Sequence, residues 1–92
     1  SVPREFALHA YPNPFNSSVT LSWPSGADAI ALEILNILGQ RVRTYEFDGN
    51  ADANSVEWNG QDQKKLSVPS GVYFAEVISG SLKNVQKMML VK

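Results

Sequence analysis

Turn chemistry recurs about every ten residues along this chain, and that spacing restricts it more than any other feature. The punctuation falls at Pro12-Asn13-Pro14 with Asn16-Ser17-Ser18, then at Pro24-Ser25-Gly26, Leu38-Gly39-Gln40, Asp48-Gly49-Asn50, Asn59-Gly60, Pro69-Ser70-Gly71 and Ser79-Gly80-Ser81. Between these lie short apolar segments, Val19–Trp23, Ile30–Ile37, Arg41–Phe47, Ser55–Trp58, Val72–Ile78 and Val85–Val91, with a weaker one at Phe6–Ala10. Such a pattern predicts an all-β sandwich or barrel of about seven strands. A helix competes only over Asp28–Gln40, and there Asn36 and Gly39 occupy the place of a hairpin turn.

Successive side chains of a strand point to opposite faces, so alternation shows which residues share a side. Val19, Leu21 and Trp23 share one face. Ile30, Leu32 and Ile34 oppose Ala31, Glu33 and Leu35, and Val72, Phe74 and Ile78 oppose Tyr73, Ala75 and Val77. Both faces of these last two segments are largely apolar, which places them near the middle of a sheet. Trp23, Trp58, Phe74 and Leu32 are the expected core.

Ninety-two residues, 43% of them hydrophobic, suffice for a single domain over residues 1–92, with residues 1–5 read as a linker. Eight basic against nine acidic side chains leave a net charge of −1, which provides no electrostatic footprint for nucleic acid. The longest apolar runs fall far short of the ~20 residues of a membrane-spanning helix, so no direct membrane insertion is expected. The chain has no cysteine, which excludes disulfides and thiolate metal sites. The start at Ser1 suggests a fragment of a longer protein with any signal peptide upstream.

Catalytic constellations are not assembled by this sequence, and neither a cofactor nor a metal is expected. His9 is the single histidine, without a second imidazole or a thiol to join it. Asp48–Asn54 echoes the start of a calcium loop, but the sixth position is Ala53 in place of glycine and the twelfth is Asn59 in place of glutamate. Glu33, Glu57 and Glu76 each sit in an expected strand, where charges discourage edge pairing more simply than they assemble a glycosidase pair. Asn16-Ser17-Ser18 matches a glycosylation acceptor that has meaning only in a eukaryotic secretory route.

Tyr11-Pro12-Asn13-Pro14-Phe15-Asn16 is the most distinctive segment. Its prolines fix φ near −65° and bias Tyr11 and Asn13 toward extended geometry, giving a stiff polar corner expected to bring both Tyr11 and Phe15 onto the core. This corner is followed by Val19-Thr20-Leu21, Leu35-Asn36-Ile37-Leu38-Gly39-Gln40-Arg41-Val42, Val56-Glu57-Trp58-Asn59-Gly60-Gln61-Asp62, Ser70-Gly71-Val72-Tyr73-Phe74 and Lys87-Met88-Met89-Leu90-Val91-Lys92. Taken in order, these motifs resemble the C-terminal sorting domains of bacterial type IX secretion. The portion from Trp58 to Tyr73 is also similar to the immunoglobulin-like domain of flagellar hook-capping proteins.

The resemblance implies an immunoglobulin-like antiparallel β-sandwich at the end of a larger secreted protein. It also implies folding in the periplasm, presentation of an upstream cargo domain to the outer-membrane secretion machinery, and arrival at the cell surface or outside the cell. In that family a sortase-like protease often removes the module, and the cargo is then attached to lipopolysaccharide. Residues carried over as recognition candidates are Pro12, Asn13, Pro14, Gly39, Gly71, Tyr73, Lys87 and Lys92. Gly39 and Gly71 are expected at turn backbones, and Lys87 and Lys92 on a final strand whose edge could accept a partner strand. Two departures stand out: Gln63-Lys64-Lys65 occupies a stretch where the family usually has a glycine, and Asn59 replaces the commoner aspartate. Rival readings are an accessory carbohydrate-binding or spacer domain of an extracellular hydrolase, using Tyr11, Tyr45 or Tyr73, and a flagellar hook-cap component.

Overall fold

The computed structural model describes residues 8–23, 31–47, 54–80 and 82–92. The expected linker at residues 1–5 and most of the acidic run Asp48–Asn54 lie outside that set. Seven strands are present: β1 (His9–Tyr11), β2 (Val19–Ser22), β3 (Ala31–Leu35), β4 (Arg41–Glu46), β5 (Ser55–Trp58), β6 (Gly71–Ser79) and β7 (Leu82–Leu90). They form a three-stranded sheet, β1-β2-β5, and a four-stranded sheet, β4-β3-β6-β7, with every strand pair antiparallel. The chain makes two strands in one sheet, two in the other, returns for β5 and finishes with the long β6–β7 hairpin. This is an immunoglobulin-like sandwich, and of the segment Asp28–Gln40, where a helix competed, the described residues 31–40 form β3 and the turn that follows it, while residues 28–30 lie outside the described set.

Alternation sets the core. Val19 and Leu21 from one sheet and Leu32, Ile34, Ala75, Val77 and Met88 from the other are fully buried between the layers. Trp58 is also fully buried, its ring 5.7 Å from that of Phe15 and 5.3 Å from that of Tyr73, and its Nε1 donates to the Gln61 carbonyl at 2.8 Å. A buried indole N–H needs such an acceptor, because losing water without a new partner is costly. Trp23 closes the other end of the core against Phe47, with ring centroids 5.5 Å apart.

Phe74 departs from expectation. Its strand presents Tyr73, Ala75 and Val77 to the core and turns Phe74 to the outer face, where it lies between Leu35 and Lys87 on the neighbouring strands. Both faces of this strand are apolar, so its own pattern cannot decide which is inside. The pairing of Tyr73 with buried Met88 decides it, since a one-residue slip would invert every side chain.

Leu32→Ala is expected to cost about 2–5 kcal/mol, because a fully enclosed site leaves a cavity. Phe74→Ala should cost about half as much or less, since its ring already meets solvent and less area returns to water. Urea denaturation of both variants checks the order, and an equal loss would contradict the face assignment.

Candidate functional site

The proline corner is held against the last strand. Asn13 Nδ2 donates to the Lys87 carbonyl at 2.9 Å, and Asn13 Oδ1 accepts from the Met89 amide at 3.1 Å. Two residues on, the Phe15 amide donates to the Met89 carbonyl at 2.9 Å and the Val91 amide donates to the Phe15 carbonyl at 2.8 Å. Asn13 thus imitates one residue of a neighbouring strand with its side chain, and Phe15 supplies the next with its backbone. The Tyr11–Pro12 and Asn13–Pro14 peptides are both cis. Phe15 is buried at 3% exposure, as expected, but Tyr11 is 55% exposed and does not reach the core. The corner turns only one aromatic inward, the one that meets Trp58. The expectation that the edge of β7 is open to a partner strand is therefore corrected over Lys87–Val91, where the corner already occupies it.

Gly39 lies in the β3–β4 turn with φ +80°, a left-handed conformation that costs a side-chain-bearing residue about 1–2 kcal/mol. Asn36 organises that turn: its Oδ1 accepts from the amides of Leu38 and Gln40, and its backbone carbonyl accepts from the Gly39 amide. The clamped turn holds Ile37 and Leu38 out in solvent, at 71% and 78% exposure. Gly71 opens β6 at φ +154°, also outside the range L side chains adopt readily.

Tyr73 is buried, and its hydroxyl donates to the Pro69 carbonyl at 2.6 Å, four residues back along the chain. A tyrosine near the start of this strand, bonded to backbone just upstream, is the tyrosine corner of immunoglobulin-like sandwiches. Burial raises the Tyr73 pKa above its ordinary 10.0. The ring is thus part of the frame that sets the loop before β6, and recognition could reach it only through that loop.

The loop after β5 seals the opposite edge of the large sheet. Asp62 Oδ1 accepts from the amides of Lys64 and Leu66, and Lys65 takes a left-handed φ of 66° within the turn. The stretch that departs from the family pattern is therefore a tight turn with Lys65 in a backbone region suited to glycine. Gln63 next door donates its amide to the Val42 carbonyl at 3.0 Å and accepts the Thr44 amide on its Oε1 at 2.8 Å.

Pro12, Asn13, Pro14, Gly39, Gly71, Tyr73, Lys87 and Lys92 all lie toward one end of the sandwich, where β3, β5 and β7 finish and β4 and β6 begin. The Lys92 amide donates to Ser70 Oγ at 3.0 Å, fastening the last residue to the loop before β6. Ile37, Leu38, Val42, Val68, Val72 and Tyr73 are among the residues lining a shallow cleft of about 300 Å³ at this end. Lys87 and Lys92 are exposed.

The other candidates disperse. Glu33 and Glu76 are cross-strand neighbours on the outer face, each drawn to its own cation, Arg41 at 3.4 Å and Lys83 at 3.7 Å. Glu57 lies in the other sheet and accepts from Ser18 Oγ at 2.8 Å. His9 is exposed on β1. Tyr11, Tyr45 and Tyr73 form no aromatic platform for a sugar: Tyr11 is exposed on β1, Tyr73 is buried, and Tyr45 packs partly against the core under the Arg43 guanidinium, 4.8 Å above its ring.

Against known proteins, the model of the family described as "Secretion system C-terminal sorting domain" matches residues 9–92. No curated protein matches the chain. Among solved structures, the chain is similar to PorZ of Porphyromonas gingivalis, described as an essential bacterial surface component of the type-IX secretion system. The TM-score is 0.71 at 21% identity, over 92% of this chain and 11% of that one. The likeness concerns the fold, and this chain spans about a tenth of PorZ.

Two measurements test the frame. Tyr73→Phe removes the bond to Pro69 and should cost about 1 kcal/mol at neutral pH. Because the folded-state pKa of Tyr73 is raised, its contribution is complete below the unfolded value near 10 and is lost as pH rises through the folded one. The decline in stability at alkaline pH should accordingly be shallower in Tyr73→Phe, with a remainder from Tyr45, whose pKa is raised by burial against the lowering effect of Arg43. Lys65→Gly should stabilise the domain by up to about 1 kcal/mol, the left-handed strain exceeding the entropy glycine adds to the unfolded chain.

Proposed function

This chain belongs to the family of secretion system C-terminal sorting domains, and from that premise we propose that the end of the sandwich gathering its motifs is the surface the secretion machinery reads. As a type IX sorting domain it serves to route a larger secreted bacterial protein to the cell surface or beyond. The observation that carries the proposal is the convergence of the proline corner, the Asn36–Gln40 turn, the Ser70–Gly71 loop and the last residues on one end.

Within that surface the residues divide by role. Gly39, Gly71 and Tyr73 fix backbone shape, while Pro12, Pro14, Lys87 and Lys92 present a stiff apolar ridge and two cations for contact. Asn13 ties the two groups together through its bonds to β7. The domain acts by binding and performs no chemistry of its own. Residues 1–92 act as one module after an upstream cargo domain, and a sortase-like protease separates the two once the cargo has crossed.

Fusing residues 1–92 behind a periplasmic reporter in a bacterium with this secretion system should export the reporter. Lys87→Glu with Lys92→Glu should lower export several-fold while leaving the thermal midpoint within a degree or two, since both side chains are exposed. Retention of the unmodified fusion in the periplasm would refute the sorting role. Undiminished export of the double variant would refute the contact surface alone.

A further inference from the structure

We propose that the cleft between the Asn36–Gln40 turn and the start of β6 is a pairing site for an extended peptide segment of a partner, one that alternates apolar and acidic side chains. The inference deepens the reading of this end as the contact surface and rests on that reading for its setting.

Strand parity locates the groups that do the pairing. In an antiparallel strand both backbone groups of a residue point to one side, and those of its neighbours to the other. Lys87, Met89 and Val91 bond to the proline corner, so Met88 and Leu90 turn toward β6, where they meet Tyr73 and Gly71. Val72 therefore turns its amide and carbonyl the opposite way, toward β3, in line with Phe74 and Glu76. Phe74 and Glu76 find Leu35 and Glu33 there, but the ladder ends at Leu35. Ile37 is the residue that would answer Val72, and by then the chain has bent toward β4, with the Asn36 amide donating to the Gln40 carbonyl at 3.0 Å. Among the described residues nothing bonds to the Val72 amide or carbonyl, which leaves one donor and one acceptor side by side.

That missing rung opens onto the cleft. Val72 and Ile37 both line it, with Leu38, Val42, Val68 and Tyr73 supplying further apolar wall. Gly71 has no side chain, and a Cβ there would meet nothing within 4 Å, so another main chain can come close. An incoming extended chain can exchange two bonds with Val72 as a further strand residue would, while an alternate side chain lies against the apolar wall. A donor beside an acceptor matches a peptide group and has no counterpart in a purely apolar ligand. None of the lining residues is charged, and two cations flank them. Lys92 is tied through its amide to Ser70 Oγ, and Lys87 stands opposite Phe74, two residues beyond Val72. Neither cation has an ion-pair partner among the described residues, so carboxylates on the incoming segment are favoured over cations.

The probe is a short blocked peptide of alternating valine and glutamate, titrated into the whole chain and followed by amide hydrogen exchange. At saturation the Val72 amide should exchange about tenfold more slowly, as a new hydrogen bond requires. The Met89 amide, already held by Asn13, should not change. The same peptide methylated at every valine nitrogen should not bind, and one of alternating valine and lysine should bind several-fold more weakly at low salt. Ile37→Ser/Leu38→Ser, which alters two exposed side chains, should weaken binding several-fold while leaving the thermal midpoint in place. Unaltered Val72 exchange at millimolar peptide, or equal binding by the methylated or the lysine peptide, would each overturn the proposal. Such a failure removes the pairing site and leaves the sorting role standing, since export of the unmodified fusion is read separately.

Discussion

The packing of Trp58 between Phe15 and Tyr73 is the contact on which the arrangement turns. Trp58 ends β5 in the small sheet, Tyr73 belongs to β6 in the large sheet, and Phe15 comes from the corner that closes β7. Three aromatic rings at 5–6 Å therefore join both layers and one edge in a single cluster. The polar atoms of that cluster are satisfied locally, the indole by Gln61 and the phenol by Pro69. Each of those bonds also fixes the start or end of the loop running from Gly60 to Gly71, which carries Gln63 to the edge of β4. Packing at the centre thereby determines what is shielded at the margins.

That dependence explains how much of the molecule was legible in the residues alone. Turn spacing located the strands because Gly, Pro, Asn and Asp act through their own backbone preferences and need no partner. The burial of Trp23 and Leu32 follows from alternation, and that of Trp58 from its large apolar ring. Phe74 and Tyr73 were exchanged because a strand apolar on both sides carries no internal mark of which side is in. Tyr11 was placed inside because a stiff corner was expected to turn both its aromatics the same way, whereas only Phe15 has a ring waiting for it. The role of Asn13 was out of reach in principle: its partners are more than seventy positions away, and no local pattern announces a side chain that pairs with a distant strand. Gln63 stands out in the sequence only as part of a departure from a family pattern, although its bonds to Val42 and Thr44 close the edge of β4.

Electrostatics take a minor part in holding the fold. The ion pairs Arg41–Glu33 and Lys83–Glu76 lie on the outer face with their cations largely in solvent, where such contacts contribute about 0–1 kcal/mol. Their greater effect is to match the charges of Glu33 and Glu76, which stand next to each other across β3 and β6. The outer face is left with an apolar band in its middle and Lys87 beside it.

The chain's last residues, its proline corner and two of its turns come together only after strands far apart in the sequence have paired. A receptor that touches all of them senses topology as much as amino-acid identity. A polypeptide carrying every motif but lacking the assembled layers would offer that receptor scattered fragments, so the recognition proposed for this end would double as an inspection of whether folding has finished.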